Sequence, residues 1–301
     1  MYWPTESKSV PLTDIGWSNV IYLADGSPLR DSYMVWGTTV ELDLMDDFLA
    51  VQSRHSNRMI SLVHVLIKAV SRALMDHPRL NRRVIGRRVH QYDGVSIVVP
   101  IRRPSDGVVD VVFFQDTRPL TLADVADRMW NEARDRALKI AQERRCQSEG
   151  TPYQKCVQQW LQWLRLQVCM KLVNTCLMLT NRLRLPTWSP WNKELNGANA
   201  FVNFLGFNGA PPMISYKPSS LGTNSFSVSV TMGSIEQRPV VRGGQVVICK
   251  TAPVFVRADH RLINGHQMGE FIATLRTYLT NPEALVESIA RSGSETPTIA
   301  A

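Results

Sequence analysis

Apolar residues recur at helical spacing in several parts of the chain. The clearest pattern lies between residues 61 and 77, where apolar side chains follow one another at intervals of three and four residues. Its members are Leu62, Val65, Leu66, Ala69, Val70, Ala73 and Leu74. His77-Pro78 ends the pattern, because the residue before a proline avoids the helical conformation. Weaker patterns predict helices over 44–52, from Thr121 toward Arg145, and after Gly265.

Runs of alternating or continuous apolar residues predict strands between these helices. They lie at 34–43, 94–101, 108–114, 200–206, 226–233, 238–241, 245–248 and 254–256. The first 35 residues carry little pattern apart from a cluster of turn-forming residues, Asp25-Gly26-Ser27-Pro28. Helices and strands therefore share most of the chain.

Composition sets bounds on the kind of protein. Of the 301 residues, 44% are hydrophobic and 20% are charged, which is typical of a globular protein with a large core. The length fits one large α/β domain or two smaller domains. A net charge of +8 suits a polyanionic ligand, an anionic membrane or nucleic acid. No nucleic-acid motif accompanies the charge, so we expect no nucleic-acid partner.

The cysteines and the N-terminus bear on the cellular compartment. Five cysteines without a C-x-x-C pair or metal-ligand spacing predict reduced thiols and no metal site. The residues Met1–Glu6 do not form a basic stretch followed by an apolar run, so no signal peptide is predicted. We expect a cytoplasmic protein, with a peripheral membrane location left open by a segment described below.

Acid, imidazole, guanidinium and amide groups are crowded together at 258–265, Ala-Asp-His-Arg-Leu-Ile-Asn-Gly. The predicted strand at 254–256 leads into this stretch and a predicted helix follows it, so His260 lies where a strand ends. Strand ends and loops often carry functional groups. A neutral imidazole can accept a proton near pH 7 and return it. The alternative is a histidine that only packs and hydrogen-bonds.

The stretch Asp259-His260-Arg261-x-x-Asn264-Gly265 resembles the catalytic domain of the dihydrolipoamide acyltransferases of 2-oxo acid dehydrogenase complexes, relatives of chloramphenicol acetyltransferase. Phe271 and Asn281-Pro282-Glu283 extend the similarity. The helix from Ile67, ending in His77-Pro78-x-Leu80-Asn81, is similar to a second motif of that family. The resemblance covers roughly residues 35–140 and 198–287. It implies an α/β fold, a chloramphenicol acetyltransferase-like mixed sheet flanked by helices, with residues 1–301 as a single acyltransferase-like domain that contains a helical insertion.

The resemblance also implies roles for particular residues. His260 would be the general base, and Asn264 its hydrogen-bonding partner in the site. Asn203 stands where the family has a serine that donates a hydrogen bond to the oxyanion. An amide can also donate, so Asn203 either supports catalysis or marks a degraded site. We further expect Asp259 and Arg261 to pair and brace the strand end.

Cofactor and assembly follow from the same resemblance. It implies coenzyme A, as an acyl-CoA substrate, and a homotrimer with the active site between subunits. We expect no covalent lipoyl group, because the chain leaves no room for the family's lipoyl and subunit-binding domains, and no metal. The acceptor would be a thiol, hydroxyl or amine on a small molecule or carrier. The alternative function is a catalytically degraded member acting as a trimeric scaffold or membrane-associated binding protein.

Two basic regions leave alternatives open. The run from Arg79 to Arg88 fits a solvated hairpin better than a site for coenzyme A phosphates or anionic lipid. Residues 146–196 are predicted to be a helical insertion, which the family lacks. Between 154 and 191 it is apolar on most sides, but Arg165 and Lys171 interrupt it, so it is not a membrane span. It either packs on a protein surface or lies on a membrane. Its polar residues do not stay on one side of the helix, which favours protein packing.

Overall fold

The computed structural model describes residues 7–10, 33–85, 88–102, 109–148, 198–206 and 226–286, with seven single positions between 160 and 175. The strands are β1 Ser7–Val10, β2 Tyr33–Glu41, β3 Arg82–Ile85, β4 Arg88–Tyr92, β5 Ile97–Arg102, β6 Val109–Phe114, β7 Ala200–Phe204, β8 Val228–Met232, β9 Glu236–Arg242 and β10 Gln245–Asp259. The helices are α1 Met45–Ser56, α2 Leu62–Asp76, α3 Leu122–Ser148 and α4 Gly265–Thr280. The predicted turn at 25–28 lies outside the described residues.

The main sheet is mixed, as predicted. Its strands follow the order β2-β10-β8-β7-β5-β6, with β9 paired to β10. Strand β7 runs parallel to both β5 and β8, and the other pairs are antiparallel. Parallel neighbours at the centre of a sheet need both a crossover connection and cover on their faces. The central position of β7 therefore fixes Asn203 deep within the sheet rather than at an edge.

Strand β10 is far longer than the sequence pattern suggested. Its first half, Gln245–Thr251, pairs with β9, and its second half, Thr251–Asp259, pairs with β2. Gly243 and Gly244 form the hairpin tip with φ angles of 57° and 80°, a region that glycine enters without strain. The hairpin of β9 and the first half of β10 thus extends past the end of β2.

The helices cover one face of the main sheet. Alternate residues of β7, β8 and β10 are buried, and they join residues of α2 and α4 in one hydrophobic core. Helix α2 carries the apolar stripe predicted from the sequence, and all seven of its members are buried. Most residues on the other face of these strands, including Asn203, are only partly buried.

Polar groups fix the start and the middle of α2. At its start, the Ser61 backbone N–H donates to His64 Nδ1 at 3.0 Å, and burial lowers the pKa of His64 to about 4. Further along, the buried Lys68 Nζ donates to the carbonyl oxygens of Thr117 at 2.9 Å and Arg118 at 3.3 Å. Burial also lowers the pKa of Lys68, to about 8. These bonds offset the cost of burying a charged group and tie α2 to the turn after β6.

A separate small sheet contains the basic run. Its strand order is β1-β4-β3, and the pairing of β3 with β4 confirms the predicted hairpin. The hairpin is not fully solvated, however, because Arg83 is buried. Arg82 Nε donates to Gln91 Oε1 across the strands at 3.0 Å. At least part of this positive charge is therefore engaged within the fold.

Candidate active site

The end of β10 is a tightly closed turn with His260 at its apex. The Leu262 N–H donates to the Asp259 carbonyl oxygen at 3.0 Å, and the Arg261 N–H donates to Asp259 Oδ1 at 3.0 Å. Leu262 and Ile263 are buried in the core just beyond the turn. Backbone and side-chain bonds on both sides of His260 therefore leave its backbone little freedom, which is what a positioned catalytic group requires.

The predicted pair of Asp259 and Arg261 is confirmed. Arg261 Nε lies 2.9 and 3.0 Å from the two carboxylate oxygens of Asp259, and Nη2 lies 2.5 Å from Oδ2. Burial by itself would lower the pKa of Arg261, but the hydrogen bonds and charge of Asp259 outweigh burial and raise it. Since Asp259 is buried, this bidentate pair neutralises a charge that would otherwise destabilise the strand end.

Asn264 begins α4 as its N-cap. Its side-chain oxygen accepts from the Gln267 N–H at 2.9 Å, while the Asn264 N–H donates to Gln267 Oε1 at 3.2 Å. This reciprocal arrangement satisfies N–H groups that a helix start leaves unpaired. Asn264 is exposed and four residues from His260. Its observed hydrogen bonds support the helix, and its predicted contact with the reacting groups stays a prediction.

The side chain of His260 is partly exposed beside Trp36. The two ring centroids are 6.0 Å apart with an interplanar angle of 40°. Trp36 comes from β2, where it pairs in register with Val256 of β10. Sequence reasoning placed Trp36 in a strand but missed it as a neighbour of His260. The pairing of β2 with β10 joins residues more than 200 positions apart, so no local sequence pattern predicts it.

The sheet register keeps Asn203 away from His260 of the same chain. Asn203 pairs with Thr231 of β8, and Thr231 pairs with Phe255 of β10. His260 follows Phe255 by five residues. At about 3.3 Å per residue along a strand and about 4.8 Å between strands, the two Cα atoms are roughly 19 Å apart. Within one chain, His260 and Asn203 cannot act on the same atom.

The separation agrees with an active site between subunits, which is where the sequence predicted it. Asn203 is partly buried and lies on the sheet face opposite the core that α2 and α4 share with β7, β8 and β10. A second copy that approached this face would reach Asn203. The catalytic roles of His260, Asn203 and Asn264 remain predictions at this point.

The second motif, His77 to Asn81, is a hydrogen-bonded support. His77 Nε2 lies 2.8 Å from Thr274 Oγ1 of α4. The buried Asn81 Nδ2 donates to the carbonyl oxygens of Tyr92 and Gly94, both at 3.0 Å. Its Oδ1 accepts from Nδ2 of the buried Asn199 at 2.6 Å. Asn199 directly precedes β7, so this network fixes the start of the strand that carries Asn203.

Glu41, Asp43 and Cys249 lie close enough together to suggest a metal site. Arg242 already occupies the cluster: its Nε donates to Glu41 at 2.9 Å and its Nη2 to Asp43 at 2.7 Å. A guanidinium in this position supplies the positive charge that the carboxylates need. The cluster therefore serves to hold the β9–β10 hairpin against β2.

Comparisons with known proteins agree with this fold. The family model for 2-oxoacid dehydrogenases acyltransferase (catalytic domain) matches residues 37–145 and 225–287. A dihydrolipoyllysine-residue acetyltransferase component of the pyruvate dehydrogenase complex, from Acholeplasma laidlawii, is 28% identical over 99 residues. This match covers 32% of the present chain and 17% of that relative.

Solved structures extend the similarity to most of the chain. The cubic core of a pyruvate dehydrogenase multienzyme complex aligns with a TM-score of 0.57 and 16% identity over 93% of both chains. An Azotobacter vinelandii dihydrolipoamide acetyltransferase, studied for the catalytic roles of one serine, one histidine and one asparagine, aligns equally well. A chloramphenicol acetyltransferase covers 91% of this chain with a TM-score of 0.51 and 13% identity. These likenesses establish the chloramphenicol acetyltransferase-like fold.

Proposed function

Because the chain belongs to the family of 2-oxoacid dehydrogenase acyltransferases, whose catalytic-domain model matches more than half of it, we propose that it transfers an acyl group from acyl-CoA to an acceptor thiol. The observation that carries the proposal is the closed turn at His260, in which Asp259 and Arg261 neutralise each other and leave a partly exposed imidazole at the apex. Hydroxyl and amine acceptors follow the same chemistry with His260 as base.

The proposed step begins with His260 and the acceptor. The imidazole nitrogen takes the proton of the acceptor S–H as the sulfur forms a bond to the thioester carbonyl carbon. The carbonyl oxygen becomes an oxyanion, which the Asn203 amide N–H stabilises. The intermediate collapses by breaking the bond between that carbon and the coenzyme A sulfur. The departing thiolate then takes the proton from His260, which restores the neutral imidazole.

This step needs two copies of the chain. Since Asn203 and His260 of one chain lie roughly 19 Å apart by strand geometry, the oxyanion donor must come from a neighbouring copy. We therefore propose a homotrimer in which His260 of one copy faces Asn203 of the next. Closed rings with one repeated interface use the same two surfaces on every copy. Each trimer would then hold three equivalent sites.

The β9–β10 hairpin is the proposed contact between copies. Val241, Val246 and Ile248 are 69%, 70% and 75% exposed there. Val241 and Val246 pair in register, and Ile248 is two residues further along β10, so all three lie on one face. The opposite face is held by Arg242 against β2. An apolar hairpin face that projects from the sheet is stabilised by a second copy.

Turnover of acyl-CoA tests the chemistry. Acetyl-CoA and longer acyl-CoA thioesters are incubated with free dihydrolipoamide, and loss of the thioester is followed for wild type, His260→Ala and His266→Ala. His266 is a matched control because it is an exposed histidine in the same segment. We expect turnover by wild type and His266→Ala and loss of turnover in His260→Ala. Equal rates for all three would refute the role of His260. Inactivity of wild type on every thioester would favour the alternative function, a catalytically degraded member that acts as a trimeric scaffold.

Assembly is tested separately by light scattering. Val246→Asp together with Ile248→Asp places two charges on the proposed contact, so we expect a smaller particle and a matching loss of turnover. Met59→Asp is the control, since Met59 is 86% exposed and lies elsewhere on the chain. A fully active monomer would contradict the shared site.

A further inference from the structure

An exposed apolar row lies in the segment that the family model leaves unmatched. Trp160, Leu161, Leu164, Val168 and Leu172 are each in helical conformation and are 56%, 43%, 39%, 57% and 66% exposed. Four of them follow at intervals of four residues, and side chains at this spacing are neighbours on a helix surface. Thr175 Oγ1 donates to the Lys171 carbonyl oxygen at 2.7 Å, a bond typical of a helix. The family match ends at 145 and resumes at 225, so the row lies outside the matched residues.

Charge indicates what covers this row. The sequence from 154 to 191 contains five basic residues, Lys155, Arg165, Lys171, Arg182 and Arg184, and no aspartate or glutamate. Lys171 is exposed directly beside Leu172. A second copy of the same segment would bring the same positive charge, and the two would repel. An anionic surface is instead attracted by every one of these side chains.

Tryptophan content points to a lipid surface rather than to an acidic protein. Trp160, Trp163, Trp188 and Trp191 lie within the same 38-residue stretch. Indole rings favour the boundary between head groups and acyl chains, because they combine a large apolar body with one N–H donor. Helices with apolar and aromatic residues on one side and basic residues nearby lie in that boundary. Among the helices of the described residues, none is long and apolar enough to cross a membrane.

We propose that the apolar row from Trp160 to Leu172 docks this protein on an anionic membrane surface. The exposed apolar side chains of the row enter the head-group region, and the exposed Lys171 lies near the anionic lipids. This goes beyond acyl transfer and needs no residue of the candidate active site. The sequence favoured protein packing for residues 154–191, and the membrane contact is proposed instead because the described side chains are exposed and this stretch contains no acidic residue.

The test is cosedimentation of the full chain with vesicles. We expect binding to phosphatidylcholine vesicles that contain phosphatidylserine, at least tenfold weaker binding to phosphatidylcholine alone, and weaker binding as salt is raised. Val168→Ser with Leu172→Ser removes apolar contacts without changing charge, so its binding should fall about tenfold. Vesicle binding by Lys171→Glu should fall as well. Val51→Ser with Met59→Ser changes two exposed apolar residues of another region and should bind like wild type.

Three results would overturn the proposal. Absence of vesicle binding by wild type would do so, and so would equal binding to neutral and anionic vesicles. The third is a smaller particle for Val168→Ser with Leu172→Ser in light scattering while vesicle binding stays as in wild type, which would assign the row to protein packing. Turnover of acyl-CoA is measured on the same variants, so that the membrane contact and the proposed function are tested separately. A variant that loses vesicle binding but keeps wild-type turnover has lost only the membrane contact.

Discussion

Two segments of this chain carry a histidine followed four residues later by an asparagine, and the structure gives them different surroundings. At His77 and Asn81, the imidazole bonds to Thr274 of α4, and the buried asparagine bonds to Tyr92, Gly94 and Asn199. At His260 and Asn264, the imidazole is partly exposed beside Trp36 and the asparagine is exposed at a helix start. Identical spacing therefore does not imply identical roles.

The two motifs therefore differ in what their side chains do: the first supports the fold, and the second is proposed to carry the chemistry. The first motif directs its side-chain hydrogen bonds into the fold, and it holds both α4 and the start of β7. The second motif lies on a turn that Asp259 and Arg261 brace, with its imidazole partly exposed at the apex. Changes in the first motif should lower stability, and changes in the second should lower turnover.

The largest expected effect is on turnover by His260→Ala. Loss of a general base lowers kcat by about 10²–10⁴-fold, while the melting temperature should stay near that of wild type because the turn is held by its neighbours. His77→Ala should do the reverse, with a lower melting temperature and wild-type kcat for the folded fraction. Steady-state kinetics and thermal melts of both variants decide the comparison. A loss of turnover in His77→Ala as large as that in His260→Ala would remove the distinction.

Asn203→Ala should lower kcat by about 10²–10³-fold with little change in KM, because the oxyanion exists mainly along the path through the transition state. Asn203→Ser, which restores the family's residue, should keep more activity than the alanine variant. Saturation kinetics with acyl-CoA measure both parameters. A rise in KM at unchanged kcat would show that Asn203 binds substrate instead.

Stability separates the two asparagines. Asn81→Ala removes three side-chain bonds from a buried network, and Asn199 Nδ2 keeps only its bond to the Gly94 carbonyl oxygen, so we expect a loss of roughly 2–4 kcal/mol in the free energy of unfolding. Asn264→Ala removes only an N-cap, which is worth about 1 kcal/mol. Denaturant titrations at one fixed protein concentration give both values. A loss for Asn264→Ala equal to that for Asn81→Ala would show that the second motif also supports the core.

A third histidine, His64, makes stability depend on pH. Its folded-state pKa of about 4 lies below the ordinary value of 6.5, so between these pH values the unfolded chain binds a proton that the folded chain does not. Stability should therefore fall as pH is lowered from 6.5 toward 4, by roughly 1–3 kcal/mol. His64→Gln should flatten this part of the curve in melts across pH. An unchanged slope in that variant would assign the dependence to other groups.

The sequence predicts those features that depend on neighbouring residues. Local spacing predicts the apolar stripe of α2, the two strands of the β9–β10 hairpin and the pairing of Asp259 with Arg261. The structure confirms all three. Thr121 and Asp124 form a reciprocal cap at the start of α3, where the sequence predicts that the helix begins. A resemblance in the same short motifs was sufficient to name the fold.

Features set by distant strands could not be predicted from the sequence. The bond between Asn81 and Asn199 joins residues 118 positions apart, and strand order decides that they meet. The distance from Asn203 to His260 depends on the register of three strands, so only the structure shows that the two residues lie far apart within one chain. Lys68 lies within an apolar stripe, and its burial depends on carbonyl groups of a turn some 50 residues away.

The shared site is tested most directly by mixing two inactive variants. His260→Ala and Asn203→Ala are coexpressed, each with a different tag, and particles that carry both tags are purified and assayed for acyl-CoA turnover. If His260 of one copy works with Asn203 of the next, every trimer that carries both tags has one of its three sites with both residues intact, and activity should return to about a third of wild type. Mixed particles as inactive as either variant alone would contradict a site shared between copies.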